Sequence, residues 1–299
     1  PLPHGLALGR FEPRTELTNL SQSWAKLAAQ QKDLQASGFL LVLDDGRFAQ
    51  LQPDKPLPAA SSIKSPVLLA ALEELDAGRL KWNDPLLLTK EVVGSGAGWM
   101  ASRPLGTRFP VWEAATEMIR VSDNSATNLL IKRLGGKSNL NTRFQAMGLS
   151  ATVIRNWLPD LDGTNTTSAH DLARTIALVD TGEKLSPRAR DLFREVMGKS
   201  RTNTLLPLGL LMGLGGDSPD PDSELLARGV TVLNKTGDIG IAYADGGLIE
   251  LPNGQRAVAA FMVKGPFNDP RSTTLIRAMA ADISRTLIQG AAPAAGAGR

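Results

Sequence analysis

The chain has 299 residues, 42% hydrophobic and 21% charged, a globular balance that excludes wholesale disorder and collagen-like repeats. Lys and Arg outnumber Asp and Glu by only 33 to 30, and the basic residues are scattered, so no nucleic-acid footprint is present. With no cysteine and two histidines, the sequence excludes disulfides, zinc-thiolate sites, iron–sulfur clusters and cysteine nucleophiles.

The chain begins Pro1-Leu2-Pro3-His4-Gly5 without an initiator Met, and we read it as a mature or trimmed form from which a signal peptide has been removed. Residues 1–13 read as an extended arm. From Thr15 to about Leu34, Leu17, Leu20, Trp24 and Leu27 recur at helical spacing. Gly38–Leu43 is a short apolar run ending at Asp44-Asp45-Gly46, a hairpin signal, with Phe48–Gln52 as the return strand. Ser61–Ala77 is so apolar that its helix must be buried on most sides. Further helices are expected near 111–119, 124–134, 138–146, 168–181 and 186–197. After Arg228 the pattern turns to β, with runs at 229–234, 242–251 and 256–264. Pro270 opens a final amphipathic helix to about Leu287, and the Ala/Gly/Pro-rich stretch 290–299 is expected to be disordered. No run of about 18 apolar residues suggests a membrane span.

This order predicts an α+β fold. Residues 14–60 and 210–289 would form one discontinuous domain, a five-stranded antiparallel sheet flanked by the N- and C-terminal helices. Residues 61–209 would form an inserted all-helical domain, with a cleft at the interface.

Three triplets carry the chemistry. Ser61-Ser62-Ile63-Lys64 puts a hydroxyl and an amine on one face of the buried helix. A lysine serves as base when burial and a second cation depress its pKa. Ser122-Asp123-Asn124 falls at a helix start, where each of these residues also makes an ordinary cap. Lys235-Thr236-Gly237 falls at a strand end, with Gly237 permitting close backbone approach and Lys235 as the second cation. Any one of these is a weak signal. Ser23-Trp24-Ala25-Lys26 has the first pattern too, and reads as a decoy on a surface helix. A Ser-His-Asp triad would have to rest on His170.

In this order and context the three triplets resemble those of the penicillin-recognising serine hydrolases, class A β-lactamases above all. The resemblance spans about residues 15–288 and implies a β-lactamase-like fold and an acyl-enzyme at Ser61. It implies Lys64 as proton partner, Ser122 as shuttle to the leaving nitrogen, and Lys235 as the second cation. Asn124, Thr236 and Gly237 would contact substrate, and the N–H groups of Ser61 and Asp238 would form an oxyanion hole. It implies a β-lactam or cell-wall peptide substrate, no cofactor or metal, a monomer, and a periplasmic or secreted location. A D-alanyl-D-alanine carboxypeptidase, an esterase and a non-turnover sensor of β-lactams or peptidoglycan stay open beside the β-lactamase.

The sequence departs from the class A pattern at two places. The family's Ω-loop glutamate, which activates the deacylating water, aligns with Leu158 in Trp157-Leu158-Pro159-Asp160-Leu161-Asp162. Asp162 and Asp160 are the candidate substitutes. No Arg follows on the strand after Lys235, and Arg271 is the candidate cation for a substrate carboxylate.

Overall fold

The computed structural model describes residues 11–289. The expected tail at 290–299 and residues 1–10 of the expected arm, His4 among them, lie outside the described residues. In chain order the elements are β1 (Thr15–Glu16), α1 (Thr18–Ala29), β2 (Gln35–Val42), β3 (Arg47–Leu51) and β4 (Leu57–Pro58). A 3-10 turn, Ala60–Ile63, leads into α2 (Lys64–Asp76). Then come β5 (Pro85–Leu87), β6 (Arg108–Pro110), α3 (Val111–Arg120), α4 (Asn124–Arg133), α5 (Gly136–Ala146) and β7 (Thr166–Thr167). These are followed by α6 (Ala169–Asp180), α7 (Pro187–Met197), α8 (Leu206–Gly213), α9 (Pro221–Ala227), β8 (Thr231–Asp238), β9 (Ala242–Glu250), β10 (Arg256–Lys264) and α10 (Pro270–Leu287).

The two ends of the chain build one sheet, in the order β1-β3-β2-β10-β9-β8. Its centre is the antiparallel pair of β2 with β10, from Gln35 opposite Lys264 to Val42 opposite Ala257. Five strands are antiparallel, as the sequence implies. The sixth, β1, is a two-residue edge strand parallel to β3 that the sequence reading lacks. It is held by backbone bonds rather than by a side-chain pattern: Arg14 N–H donates to Gly46 and Leu17 N–H to Phe48. Nothing in residue periodicity marks so short a pairing.

Both faces of the sheet are covered, which is why β2 and β10 read as unbroken apolar runs rather than alternating ones. Leu40, Val42, Ala259 and Phe261 face α1, α8 and α10. Trp24 of α1 meets Phe261 edge to face at 5.1 Å and donates its indole N–H to Met279. Phe39, Leu41, Ala260 and Met262 face the helical block, whose centre is Val67–Leu72 of α2. Asp180, at the end of α6, ties the helical block to the sheet. It is buried and paired with Arg190, Arg194 and Arg256, the last on β10.

Two helices escaped the sequence reading, α8 and α9. The α8 segment, Leu-Pro-Leu-Gly-Leu-Leu-Met-Gly, has no polar face and no side-chain cap, only a proline in its first turn. Its glycines serve packing: a Cβ on Gly209 would stand 2.7 Å from the Ala280 Cβ of α10. Among the described residues no helix is long and apolar enough to cross a membrane.

Candidate active site

Ser61 sits in the 3-10 turn Ala60–Ile63 that leads into α2, not in the regular helix itself. Ala60 enters the turn at φ +49°, a left-handed value that non-glycine residues seldom adopt. The turn is braced by the Ser62 hydroxyl, which donates to Ala59 at 2.6 Å. Strand β8 lies flat against it. A Cβ on Gly237 would come within 2.7 Å of the Ala59 carbonyl oxygen and 2.8 Å of the Ser61 and Ser62 nitrogens, so only glycine lets the strand approach this closely.

Lys64 begins α2 and is fully buried. Its Nζ lies 2.9 Å from Ser61 Oγ, 2.9 Å from Ser122 Oγ, 2.6 Å from the Ser122 carbonyl oxygen and 2.8 Å from Asn124 Oδ1. Burial, and then the nearby charge of Lys235, hold its amine well below the usual lysine range, against the weaker pull of Asp123. A neutral amine there has a lone pair for the Ser61 proton. Lys235 donates to Ser122 Oγ at 3.1 Å and to the Thr236 carbonyl at 2.7 Å. Burial pushes its amine down to about 8. Ser122 therefore touches both lysines, and it is itself held at φ +59°.

The turn that delivers Ser122 is fixed by Asp123. This residue caps α4 by accepting from Ala126 N–H at 2.9 Å. Its other oxygen accepts from the backbone N–H groups of Trp99 and Met100, anchoring the loop Gly94–Trp99. Asn124 donates to the Ser95 carbonyl of that loop at 2.9 Å. Trp99 packs edge to face on Phe109 and donates its indole N–H to Glu117. Cap and cleft residue are thus the same turn, so the two readings of Ser-Asp-Asn are not alternatives.

Of the remaining expected site residues, Gly237 and Thr236 lie on β8 beside the nucleophile turn, Thr236 largely buried. Asp238 is exposed at the strand end and accepts from the Gly240 N–H at 2.8 Å. Leu158 is buried, and its backbone is gripped by Asn128 of α4, whose amide accepts from Leu158 N–H and donates to Leu158 C=O. Asp160 is fully buried and accepts from Asn165 N–H, the Thr164 hydroxyl and the Asn156 amide. Its oxygens close the loop, which leaves little to orient a water. Asp162 is exposed on the same loop.

Arg271 is not in the cleft assembly. It forks onto Asp33 and Asp269 and reaches Gln31, beside a groove of about 250 Å³ between α1 and α10. Starting the last helix beside an acidic cap draws it to those carboxylates instead. His170 is not among the bonding partners of Ser61. It lies 2.7 Å from Asp54 and stacks on Phe11. The Ser23 decoy donates to Asp282 of α10.

Sequence reasoning missed Asn128 and Asp245. Asp245 on β9 is fully buried behind Lys235, accepts from Asn234 and Leu206 N–H, and is pushed up to about 7 by burial. Neither belongs to a short motif. Their partners are 30 or more residues away, or a strand across, so local pattern gives no signal.

A model of the "Beta-lactamase enzyme family" matches residues 19–287. A β-lactamase of Rhodobacter capsulatus is 32% identical over 204 residues, 64% of this chain and 69% of that protein. A β-lactamase of Streptomyces albus G is 29% identical over 159 residues, so the chain spans about half the length of that relative. Among solved structures, that of PBP-A is 41% identical with a TM-score of 0.85, covering 92% of this chain and 98% of that one. A second, with the same identity and coverage and a TM-score of 0.84, is described as the L158E mutant of PBP-A in an acyl-enzyme complex with penicillin G. An ancestral class A β-lactamase variant, 22% identical with a TM-score of 0.77 over 91% of this chain and 99% of its own, shares the fold. Matched by the family model from one end of the described residues almost to the other, the chain belongs to the β-lactamase enzyme family.

Proposed function

We propose that the protein is a serine hydrolase that forms an acyl-enzyme at Ser61 with β-lactams or related amides and esters, and releases it slowly. One observation carries the reading: the buried Lys64 amine, depressed by burial and by Lys235, within hydrogen-bond reach of both Ser61 and Ser122. Ser61 Oγ attacks the carbonyl carbon and gives its proton to Lys64 Nζ. The oxyanion is held by the N–H groups of Ser61 and Asp238. As the carbon–nitrogen bond breaks, Ser122 passes its proton to the leaving nitrogen and regains one from Lys64. An ester and a free amine result, with no net proton change. Lys235 favours the neutral form of Lys64 and offers charge to the substrate with Thr236, while Asn124 supports Lys64 and the substrate amide.

Deacylation needs a base for water. Leu158 offers none, and loss of a positioned base costs about 10²–10⁴-fold. The exposed Asp162 is the remaining candidate. We place the protein in the periplasm or outside the cell, as a monomer.

The test is intact mass after mixing with benzylpenicillin. A lasting adduct of one penicillin, absent from Ser61→Ala, supports the reading; rapid turnover without an adduct refutes slow release, and neither adduct nor turnover refutes the whole. The similarity to PBP-A over 98% of its chain favours a second reading, a peptidoglycan enzyme such as a D-alanyl-D-alanine carboxypeptidase. Release of D-alanine from a peptide ending in D-Ala-D-Ala tests it.

A further inference from the structure

Half of the large apolar side chains that stand exposed among the described residues fall in one stretch: Leu87, Val93, Leu105 and Trp112. The others, Leu161, Met212, Leu226 and Phe267, are scattered along the chain. A single exposed leucine is ordinary, but a group of them marks a contact surface. The strands β5 and β6 gather three of these side chains. Leu86 pairs with Phe109 and Leu87 with Arg108; the alternation turns Leu86 and Phe109 into the core and leaves Pro85, Leu87 and Arg108 outside. Gly106 N–H donates to the Leu88 carbonyl at 2.8 Å, which brings Leu105 beside the end of β5. At the other end Pro85 pairs with Pro110, and Trp112 N–H donates to the Trp82 carbonyl at 2.9 Å. Leu105, Leu87 and Trp112, 59%, 47% and 41% exposed, therefore follow one another along one ribbon.

The same ribbon is basic. Lys81, Lys90, Arg103 and Arg108 are exposed, and none of them forms an ion pair among the described residues. Lys81 precedes Trp82, Lys90 follows β5, Arg103 stands over the Trp99 ring at 5.2 Å, and Arg108 lies opposite Leu87. Two nearby carboxylates are committed elsewhere. Glu91 pairs with Lys132 at 2.8 Å, and Asp84 accepts from the Lys81 backbone N–H and lies 3.7 Å from Arg133. Glu113, partly buried in the first turn of α3, is the remaining anion of this face.

We propose that this face docks the protein on an anionic lipid surface, with Leu87, Leu105 and Trp112 entering the headgroup boundary and the four cations meeting lipid phosphates. Exposed leucines gain nothing from a hydrated polyanion, and four unpaired cations find no match on a purely apolar partner. A bilayer with anionic headgroups satisfies both, and an indole flanked by Lys and Arg is the side-chain set that settles at its interface. Asp123 holds the segment between β5 and β6 through the Trp99 and Met100 N–H groups, so the docked face is tied to the turn that carries Ser122. The proposal stands apart from the acyl-enzyme reading, and none of the docking side chains belongs to the catalytic groups.

The test is flotation of the full chain with vesicles of phosphatidylcholine alone and of phosphatidylcholine mixed with phosphatidylglycerol, at low salt. Wild type should float with the mixed vesicles and not with the neutral ones, and added salt should release it. Lys90→Gln with Arg108→Gln should weaken the partition about 25-fold, about fivefold for each charge removed. Leu87→Asn with Leu105→Asn should weaken it about tenfold at unchanged charge. Lipids brominated along the chain should quench the tryptophan fluorescence of wild type, and Trp112→Phe should lessen that quenching. Leu226→Asn with Lys26→Gln, on α9 and α1, removes the same kinds of group elsewhere and should float as wild type does. Wild type that does not float, equal flotation with both kinds of vesicle, or flotation that the Leu87 and Leu105 changes leave intact overturns the proposal. Self-association that these changes abolish, without flotation, also overturns it and gives the face to a second copy of the chain.

Discussion

Replacing Lys235 with Met keeps a long side chain in the cleft wall and removes one charge. Ser122 Oγ lies 2.9 Å from Lys64 Nζ and 3.1 Å from Lys235 Nζ, so the two amines are at most about 6 Å apart. At an effective dielectric of about 20, two unit charges at that separation repel by about 3 kcal/mol, or about two pKa units. Burial is the larger cause of the depressed Lys64 amine, and it persists in the variant. The Lys64 pKa should therefore rise by up to about two units without returning to the value of a free lysine. The assay is the acylation rate as a function of pH, followed by intact mass with a neutral ester, so that a lost carboxylate contact does not enter. The rising alkaline limb should move up by about one to two pH units in Lys235→Met, with a rate loss of up to about 100-fold on the slope of the limb. Since the Lys235 amine loses its proton near pH 8, the wild-type advantage should fade above that pH. A limb that stays in place would show that repulsion between the two amines does not set the proton affinity of the base.

The other predictions concern the base, the turn and the loop. Because Lys64 titrates well below its unfolded value, the unfolded chain binds one more proton between the two, and wild-type stability should rise with pH across that window. Urea unfolding of Lys64→Met should have a shallower dependence there, by up to about 1.4 kcal/mol per pH unit. Equal slopes would mean that Lys64 is charged in the folded state. Gly237→Ala would press a methyl against the Ala59 carbonyl and the Ser61 nitrogen, and should slow acylation by about 100-fold while the protein still unfolds cooperatively. Unchanged acylation would show that the strand and turn can part freely. Leu158→Glu should shorten the acyl-enzyme lifetime by less than the roughly 10²–10⁴-fold of a positioned base. The new carboxyl would start from a buried site whose neighbouring Asn128 amide is already spent on the backbone. A lifetime shortened by the full factor would show that the loop needs only the acid.

The parts legible in the sequence are those whose partners are close along the chain or whose pattern is periodic. Ser61 and Lys64 meet because three residues separate them on one helical turn, and Ser168 caps α6 by accepting from Asp171 as the spacing requires. The strands β9 and β10 and the helices α3, α4, α6 and α7 lie within one or two residues of their expected ends. What stayed hidden depends on contacts that sequence does not encode locally. Asp160 reads as a candidate base, yet it is buried because the loop folds back on it. Arg271 reads as a free cation, but Asp33, more than 200 residues earlier, claims it.

The two halves of the proposed reaction rest on different kinds of structure. The acylation groups come from rigid elements: the head of α2, the capped start of α4, and a strand at the sheet edge pressed against the nucleophile turn. They are bonded to one another, Lys64 to Ser122 and Asn124 and Lys235 to Ser122, so the Lys64–Ser122–Lys235 arrangement needs no substrate to assemble it. A deacylating base would have to come from the loop 156–165, and there the polar groups other than the exposed Asp162 bond inward. Asn165 accepts from Arg155 and Asn156 N–H, Asp160 takes up Asn165 N–H, and Asn128 grips Leu158 from below. A loop satisfied in this way presents an apolar side chain where a water would need an acceptor. A water without one is a poor nucleophile, so the same hydrogen bonds that make the loop stable argue for an acyl-enzyme that lasts.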